Sequence, residues 1–245
     1  MTHLREASTF RAVDDFKKFL LVAPVLLLSM VAHEYAHGFA ALKQGDDTAE
    51  SLGRLTWNPL KHIDPWLTIV MPLVTFFGSG GSMAFGGAKP VPVDPTRYAN
   101  YVRGDIIVSL AGIAANILLA ALFMLVIVGL GLLGRVAPAL TDTVALLQVM
   151  TLYGIWINVI LAWFNLMPIP PLDGSHVIKH LLPGRIAIAY QRLSRFGLLI
   201  VLALVSFAQP VLSAWMMPAR WLIGHVTTIV LPYLSLGRWS EMLLS

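Results

Sequence analysis

Cysteine is absent from the 245 residues of this chain, and charged residues make up only 12% of them. Without cysteine there is no disulfide framework and no thiolate ligand, so a zinc site must use histidine and carboxylate groups. The net charge of +4 is small and provides no clustered basic face for nucleic acid. The hydrophobic share of 57% and the mean hydropathy of +0.75 are far too high for a soluble domain. The composition therefore predicts an integral membrane protein in contact with the lipid bilayer, with no nucleic-acid partner.

Long apolar runs take the place of charge, and a helix needs roughly 20 such residues to cross a bilayer. Candidate spans extend from about Phe19 to Leu42, Asp105 to Leu133, Val144 to Leu166, Phe196 to Met216 and, more weakly, Trp221 to Leu236. A further run, Trp66 to Phe77, is only about 12 residues long and contains Pro72, and runs of that length are more often re-entrant or buried. Residues 78–95 are too rich in glycine and proline for a regular helix.

These runs predict an all-α polytopic membrane protein of about five to six transmembrane helices, with a re-entrant or β-like hairpin segment near residues 66–95. We divide the chain into an N-terminal surface segment (1–18), a membrane core (19–180) and C-terminal transmembrane helices (181–245).

The first span contains an HExxH motif at residues 33–37. Residues four apart lie one above the other on a helix, so His33 and His37 can bind one Zn²⁺ while Glu34 projects beside them. Ionisable side chains are costly in hydrocarbon, so three of them within five residues indicate a working polar site. The motif predicts two of the three protein ligands of a catalytic zinc site.

The third ligand is left open by position alone. The carboxylates Asp64, Asp94, Asp105 and Asp173 all lie near the ends of predicted elements. Asp173 is favoured, because it follows a span and a proline-rich segment that would fix the direction of its side chain.

Five motifs occur in order along the core: HEYAHG (33–38), NPLKHIDP (58–65), FGGAKPVPV (85–93), AGIAAN (111–116) and NLMPIPPLDG (165–174). Together they resemble the site-2 protease family of intramembrane zinc metalloproteases, in its small form without a PDZ domain. The resemblance covers roughly residues 20–180 and makes the core a catalytic one.

The resemblance implies that Asp173 is the third ligand of one Zn²⁺ ion and that Asn116 and Asn165 line the site as catalytic residues. It also implies metal-assisted amide hydrolysis, in which Glu34 takes a proton from water and returns it to the leaving amine. The implied substrate is a transmembrane segment of another membrane protein. Asn165 would donate a hydrogen bond to the developing oxyanion.

A substrate helix must unwind before its amides can be cleaved. The extended stretch Lys89-Pro90-Val91-Pro92-Val93 could pair with the unwound chain through the free backbone groups of Val91 and Val93. We therefore assign Lys89, Val91 and Val93 to substrate binding. The alternative is a proline-stiffened loop at the membrane surface.

The metal site also constrains the topology. His37 is near the C-terminal end of the first span, and Asp173 lies just beyond the end of the Val144 to Leu166 span. If residues 66–77 crossed the membrane, these two ends would face opposite sides, and the positive-inside rule fits either topology. One shared ion therefore predicts a re-entrant segment. We expect a bacterial or archaeal cell membrane, an N-terminus outside and a site nearer the cytoplasmic face.

Other polar residues have simpler interpretations. His176 and His180 could form a second metal site, but two histidines on the polar face of an interfacial helix is the simpler account. His62 is interpreted as a structural loop residue, and Asn116 could be an interhelical hydrogen-bonding residue only. A zinc or proton-coupled transporter is the alternative function, although the sequence has no repeated halves.

Overall fold

A computed structural model describes the backbone of residues 2–78 and 86–235, and the side chains of residues 19–75 and 86–235. The helices are α1 (Thr2–Gln44), α2 (Thr48–Ser51), α3 (Met71–Gly78), α4 (Tyr101–Val136), α5 (Thr141–Asn165), α6 (Gly174–Leu181), α7 (Gly184–Arg192), α8 (Gly197–Phe207), α9 (Gln209–Trp215) and α10 (Met217–Val230). A π-helical turn, Pro65–Val70, precedes α3, and short 3-10 turns join several of the others. The described residues contain no β-strand.

The all-α polytopic fold is confirmed, and four helical stretches in the described part are long and apolar enough to cross a membrane. They are Phe19–Gln44, Tyr101–Val136, Pro138–Asn165 and Gly184–Phe207. The last replaces the predicted span from 196 to 216, whose bounds were wrong. The helix leaves regular geometry at Ala208, just before Pro210, and the apolar helical stretch already begins at Gly184.

The predicted weak span from 221 to 236 corresponds to α10, which has 14 residues and is shorter than a full crossing. Residue 236 lies outside the described residues. The proposed boundary between residues 18 and 19 falls inside the continuous helix α1.

The core of the fold is the packing of α1, α4 and α5, with α10 against the last two. Leu152 and Ile155 of α5, Ile127 of α4 and Val226 of α10 belong to one buried apolar cluster. α5 approaches its neighbours closely at Gly154, where a Cβ would lie 2.7 Å from the ring of Phe123 and 3.0 Å from Val25. These helices form the rigid frame that holds the polar residues of α1.

The end of α1 is defined by a glycine. Gly45 has a φ of 105°, which favours glycine, and its N–H donates to the carbonyl of Leu42 at 3.1 Å. The N–H of Asp46 reaches back to the carbonyl of Ala41 at 3.0 Å, which completes a Schellman motif. The chain therefore turns sharply about two helical turns after His37.

The segment that connects α1 to α4 starts and finishes at the same end of the helix bundle. The N–H of Ala99, just before α4, donates to the carbonyl of Gln44 at the end of α1, at 2.8 Å. Residues 45–100 therefore begin and end on one side, and Pro65–Gly78 does not carry the chain across. This agrees with the re-entrant prediction. The β-like alternative has no support in residues 86–94, which are extended but form no β-strand, and residues 79–85 lie outside the described part.

Candidate metal centre

His33 and His37 face the same point from successive turns of α1. Their Nε2 atoms are 3.0 Å apart, and the ring centroids are 4.6 Å apart. Asp173 Oδ2 lies 3.2 Å from His33 Nε2 and 3.4 Å from His37 Nε2. The structure thus brings the three predicted ligands together, with one ligand atom of each within 4.8 Å of the others. No other such group occurs among the described residues.

Asp173 reaches this point because the segment after α5 is anchored. Met167 and Leu172 are buried in a cluster with Val201 and Leu204 of α8. The chain then enters α6 at Asp173, whose carbonyl accepts the N–H of His176 at 3.0 Å. The proline-rich segment therefore fixes the direction of Asp173, as its sequence predicts.

The hydrogen bonds of the two imidazoles determine which nitrogen carries the proton. His37 Nδ1 lies 2.7 Å from the carbonyl oxygen of Val108, which can only accept, so Nδ1 carries the hydrogen. His33 Nδ1 lies 2.6 Å from Asn116 Oδ1, which also accepts. In the neutral rings both Nε2 atoms therefore present lone pairs to the common point.

Asp173 adds a third electron-rich atom to these lone pairs. Its Oδ2 is buried and accepts no hydrogen bond. Two lone pairs and an anionic oxygen repel one another unless a cation lies between them. The donor set fits Zn²⁺, which takes nitrogen and carboxylate ligands.

Gly112 of α4 allows the two imidazoles to lie against that helix. A Cβ at this position would be 2.5 Å from His37 Nε2 and 2.6 Å from His33 Cε1, closer than real Cβ contacts. Any side chain at residue 112 would therefore displace the two imidazole rings.

Asn116 lies behind His33. It is fully buried, and its Oδ1 lies 2.6 Å from His33 Nδ1. Asn165 is at the end of α5, where its Nδ2 donates to the carbonyl of Leu161 at 2.9 Å. One hydrogen of its amide remains available to another acceptor.

Glu34 contacts the extended segment 86–94, which we call the strap. Its Oε2 accepts the N–H of Val91 at 2.8 Å, and Val91 is buried. The predicted free N–H of Val91 is therefore engaged by Glu34 in this structure. Val93 has no hydrogen bond on its N–H among the described residues.

The strap is held along its length by backbone and side-chain bonds. Gly87 N donates to Leu67 O at 2.9 Å, Lys89 N to His62 O at 2.8 Å, and Arg54 Nη2 to Lys89 O at 3.0 Å. At its end, Asp94 N donates to Asp46 Oδ2 at 2.6 Å. Burial alone raises the pKa of Asp46, but hydrogen bonds from Thr48 and Asp94 lower it below its ordinary value, so Asp46 holds the strap as an anion.

His176 and His180 belong to no group of three candidate metal ligands among the described residues. Both contact Asp105 of α4, at 3.2 Å and 2.6 Å, and Lys179 Nζ lies 2.6 Å from the same carboxylate. The ammonium group already supplies the cation that this buried carboxylate needs. His62 is fully buried, and its Nε2 contacts the carbonyl of Thr56 at 2.9 Å, which agrees with a structural role.

Sequence reasoning missed Ser29, Asn158 and the role of Asp105. The signal was present, because Ser29 and Asn158 are polar residues inside apolar spans and both are fully buried. Such residues are typical of interhelical hydrogen bonds.

The sequence profile of peptidase family M50 matches residues 21–151 and 135–208 of the chain. YwhC of Bacillus subtilis (strain 168), named as a zinc metalloprotease, is 34% identical over 186 residues, which cover 73% of this chain and 77% of YwhC. Rip2 of Mycolicibacterium smegmatis, with a name of the same kind, is 33% identical over 209 residues, or 85% of this chain and 74% of Rip2. Rip2 of Mycobacterium tuberculosis is 31% identical over 198 residues, or 80% of this chain and 70% of Rip2. No solved structure matches the chain.

Proposed function

Because the chain belongs to peptidase family M50, the site-2 protease family, and is an intramembrane zinc metalloprotease, we propose that His33, His37 and Asp173 hold its zinc ion and that Glu34 is the general base. The observation that carries the proposal is the convergence of two imidazole lone pairs on a buried carboxylate oxygen that accepts no hydrogen bond. The transporter alternative has no support in the relatives, which are named as metalloproteases.

The bound zinc ion supplies Lewis acidity, which makes water a stronger acid and polarises the carbonyl of the scissile bond. Glu34 takes a proton from the attacking water and returns it to the leaving amine. The Val91 N–H fixes one oxygen of Glu34 and leaves Oε1 to take the proton. The remaining amide hydrogen of Asn165 would donate to the developing oxyanion, a contribution of about 10²-fold or more in rate.

The strap would bind the unwound substrate. In an extended chain successive N–H groups point to opposite edges, so residues 89, 91 and 93 share one edge while Pro90 and Pro92 leave the other without donors. On this edge Val91 donates to Glu34, the neighbour of His33, and Lys89 donates to the carbonyl of His62, while the N–H of Val93 has no partner among the described residues. Lys89, Val91 and Val93 are therefore the residues along which a substrate strand would lie.

We place the protein in a bacterial or archaeal cell membrane, with the metal centre nearer the cytoplasmic face. The relatives are bacterial. Basic side chains at the end of the molecule that carries the site include Arg54, Lys61, Lys89, Arg97 and Lys179. An excess of such residues is typical of cytoplasmic connections.

The test is the Glu34→Gln variant, which keeps the shape of the side chain and loses the base. Purified wild type and variant should each contain one zinc ion per chain by elemental analysis, and the variant should cleave membrane proteins about 10²- to 10⁴-fold more slowly. Cleavage is measured by mass spectrometry of membrane fractions from expressing cells. Glu50→Gln, on the exposed helix α2, is the matched control and should cleave normally.

A zinc-loaded Glu34→Gln variant that cleaves at the wild-type rate would refute Glu34 as the base. A wild-type protein that binds no zinc would refute the proposed ligand set. Substrates that remain bound to the inactive variant can be identified by the same mass spectrometry.

A further inference from the structure

Three polar side chains meet in the apolar interior behind the metal centre. Ser29 of α1, Asn116 of α4 and Asn158 of α5 are all fully buried. Burying such groups is costly unless each finds a hydrogen-bond partner. They satisfy one another, and the chain of bonds ends on His33.

Backbone carbonyl groups determine which atom donates and which accepts in this series of hydrogen bonds. Asn158 Nδ2 donates to Gly154 O and to Ser29 Oγ, both at 2.8 Å. A carbonyl cannot donate, so the nitrogen of the Asn158 amide must be on this side and its Oδ1 must point to Asn116. Ser29 Oγ in turn donates to Val25 O at 2.8 Å, which leaves it free to accept from Asn158.

Asn158 then orients the amide of Asn116. Asn116 Nδ2 donates to Asn158 Oδ1 at 2.7 Å and to Ser29 O at 3.4 Å. The first bond is short and the second is long, so Asn158 is the main restraint on this amide. Because Nδ2 of Asn116 donates to Asn158 and Ser29, Oδ1 of the same amide must face His33.

The orientation of Asn116 selects the tautomer of His33. Oδ1 accepts from His33 Nδ1, so Nε2 keeps its lone pair for the metal. A flipped Asn116 would present its N–H₂ group, a donor, to Nδ1. His33 would then favour the other tautomer, in which the ring hydrogen is on Nε2. A hydrogen there would block the metal.

We propose that Asn158, supported by Ser29, is a positioning residue of the zinc site, which acts through Asn116 to hold His33 in its metal-binding tautomer. The inference rests on the proposed zinc ligands. Residues that orient a metal ligand through hydrogen bonds typically change metal affinity 10- to 100-fold when they are removed.

The experiment uses the full chain in detergent and compares the variants Asn158→Leu and Ser29→Ala with the wild type. Zinc affinity is measured by competition with a chelator, and we expect Asn158→Leu to bind zinc about 10-fold more weakly. Nitrogen-15 spectra of histidine-labelled, metal-free protein should show His33 protonated at Nδ1 in the wild type and mixed between Nδ1 and Nε2 in the variant. Ser29→Ala removes one acceptor of Asn158 without a large cavity and should shift both readouts in the same direction.

Gln148→Leu is the matched control. Gln148 is also a buried amide on α5, but it donates to Ile127 O and Tyr233 O, away from the metal centre. Its loss should lower thermal stability and leave both zinc affinity and the His33 tautomer unchanged.

The possible outcomes distinguish a wrong set of zinc ligands from a wrong role for Asn158. A wild-type chain without zinc affinity would refute the ligand set itself. Zinc affinity in Asn158→Leu and Ser29→Ala equal to that of Gln148→Leu, with His33 still protonated at Nδ1, would overturn the role of Asn158 alone. Should Asn158→Leu not fold, Ser29→Ala decides by the same two readouts.

Discussion

The absence of a single methyl group at Gly112 determines whether the two histidines can approach α4. An added Cβ would meet both imidazoles, at 2.5 Å and 2.6 Å, and neither ring can retreat far, since each is held by Nδ1. Contacts below 3.0 Å require movement of one partner. The proposed metal site thus depends on a residue that contributes no ligand.

We predict that Gly112→Ala lowers zinc affinity by at least about 10-fold, because the imidazoles must rotate away from their shared point. The measurement is chelator competition on the purified chain. Gly129→Ala on the same helix is the control, since a Cβ there meets nothing within 4 Å. Alanine is also the better helix former, so the control should be as stable as the wild type or more so. Equal zinc affinity in the two variants would contradict this account.

The sequence could predict that the two histidines share one face of a helix, but it could not predict which residues hold their imidazole rings. His33 and His37 are four residues apart on one helix, so their shared face follows from local geometry. Gly112 meets them from α4, and Asn158 of α5 reaches His33 only through Asn116. Apolar periodicity does not say which helices will be neighbours. Asp173 was found through motif resemblance, because its position alone left four aspartates open.

At the scale of elements, α6 is held to α4 by one carboxylate. Asp105 is almost fully buried and contacts His176, Lys179 and His180. All three lie on α6, which begins directly after Asp173. Lys179 is itself largely buried beside the ring of Tyr101. These contacts of Asp105 fix the position of α6, and with it the position of Asp173, the third proposed ligand.

We predict that Asp105→Asn lowers the free energy of unfolding by about 3–5 kcal/mol, because it leaves the ammonium of Lys179 buried without a charge partner. Zinc affinity should fall as well, since α6 carries Asp173 at its first turn. Thermal unfolding and chelator competition measure the two effects. Asp142→Asn, at an exposed site at the start of α5, should change neither.

Adding Lys179→Met to Asp105→Asn removes the unpaired charge. We expect the double variant to regain part of the lost stability, whereas an additive further loss would mean that the ion pair is not the source of the effect.

The strap is the element in which sequence and structure differ most. Alternate prolines correctly predicted an extended chain, but they could not predict that Val91 donates to Glu34, since that bond joins residues 57 apart in sequence. Val93 is the remaining donor on the edge that carries the Val91 N–H.

We predict that Val93→Pro slows substrate cleavage about tenfold while zinc content stays at one ion per chain, because one backbone hydrogen bond to the substrate strand is lost. Val93→Ala keeps the N–H and should cleave at close to the wild-type rate. Equal rates for the two variants would contradict strand pairing at this residue.

At the scale of the whole molecule, the three proposed ligands require α1 and α5 to run in the same direction. α4 returns between them, and the tight connector Pro138–Leu140 joins α4 to α5 at the end far from the metal centre. The bond from Ala99 N to Gln44 O closes residues 45–100 on the near end. Charge distribution alone could not choose this topology, because both alternatives satisfied the positive-inside rule.

Single-cysteine labelling tests this arrangement directly, since the chain has no cysteine of its own. Leu60→Cys and Leu181→Cys, at exposed sites near the metal centre's end, should react with an impermeant thiol reagent from one side of the membrane, and Ala139→Cys only from the other. We expect the first two to face the cytoplasm, and so to react in inverted vesicles and be protected in intact cells. If Leu60→Cys and Ala139→Cys reacted from the same side, Pro65–Gly78 would have to cross the bilayer. His37 and Asp173 could then not share one ion, because their helices would end on opposite sides.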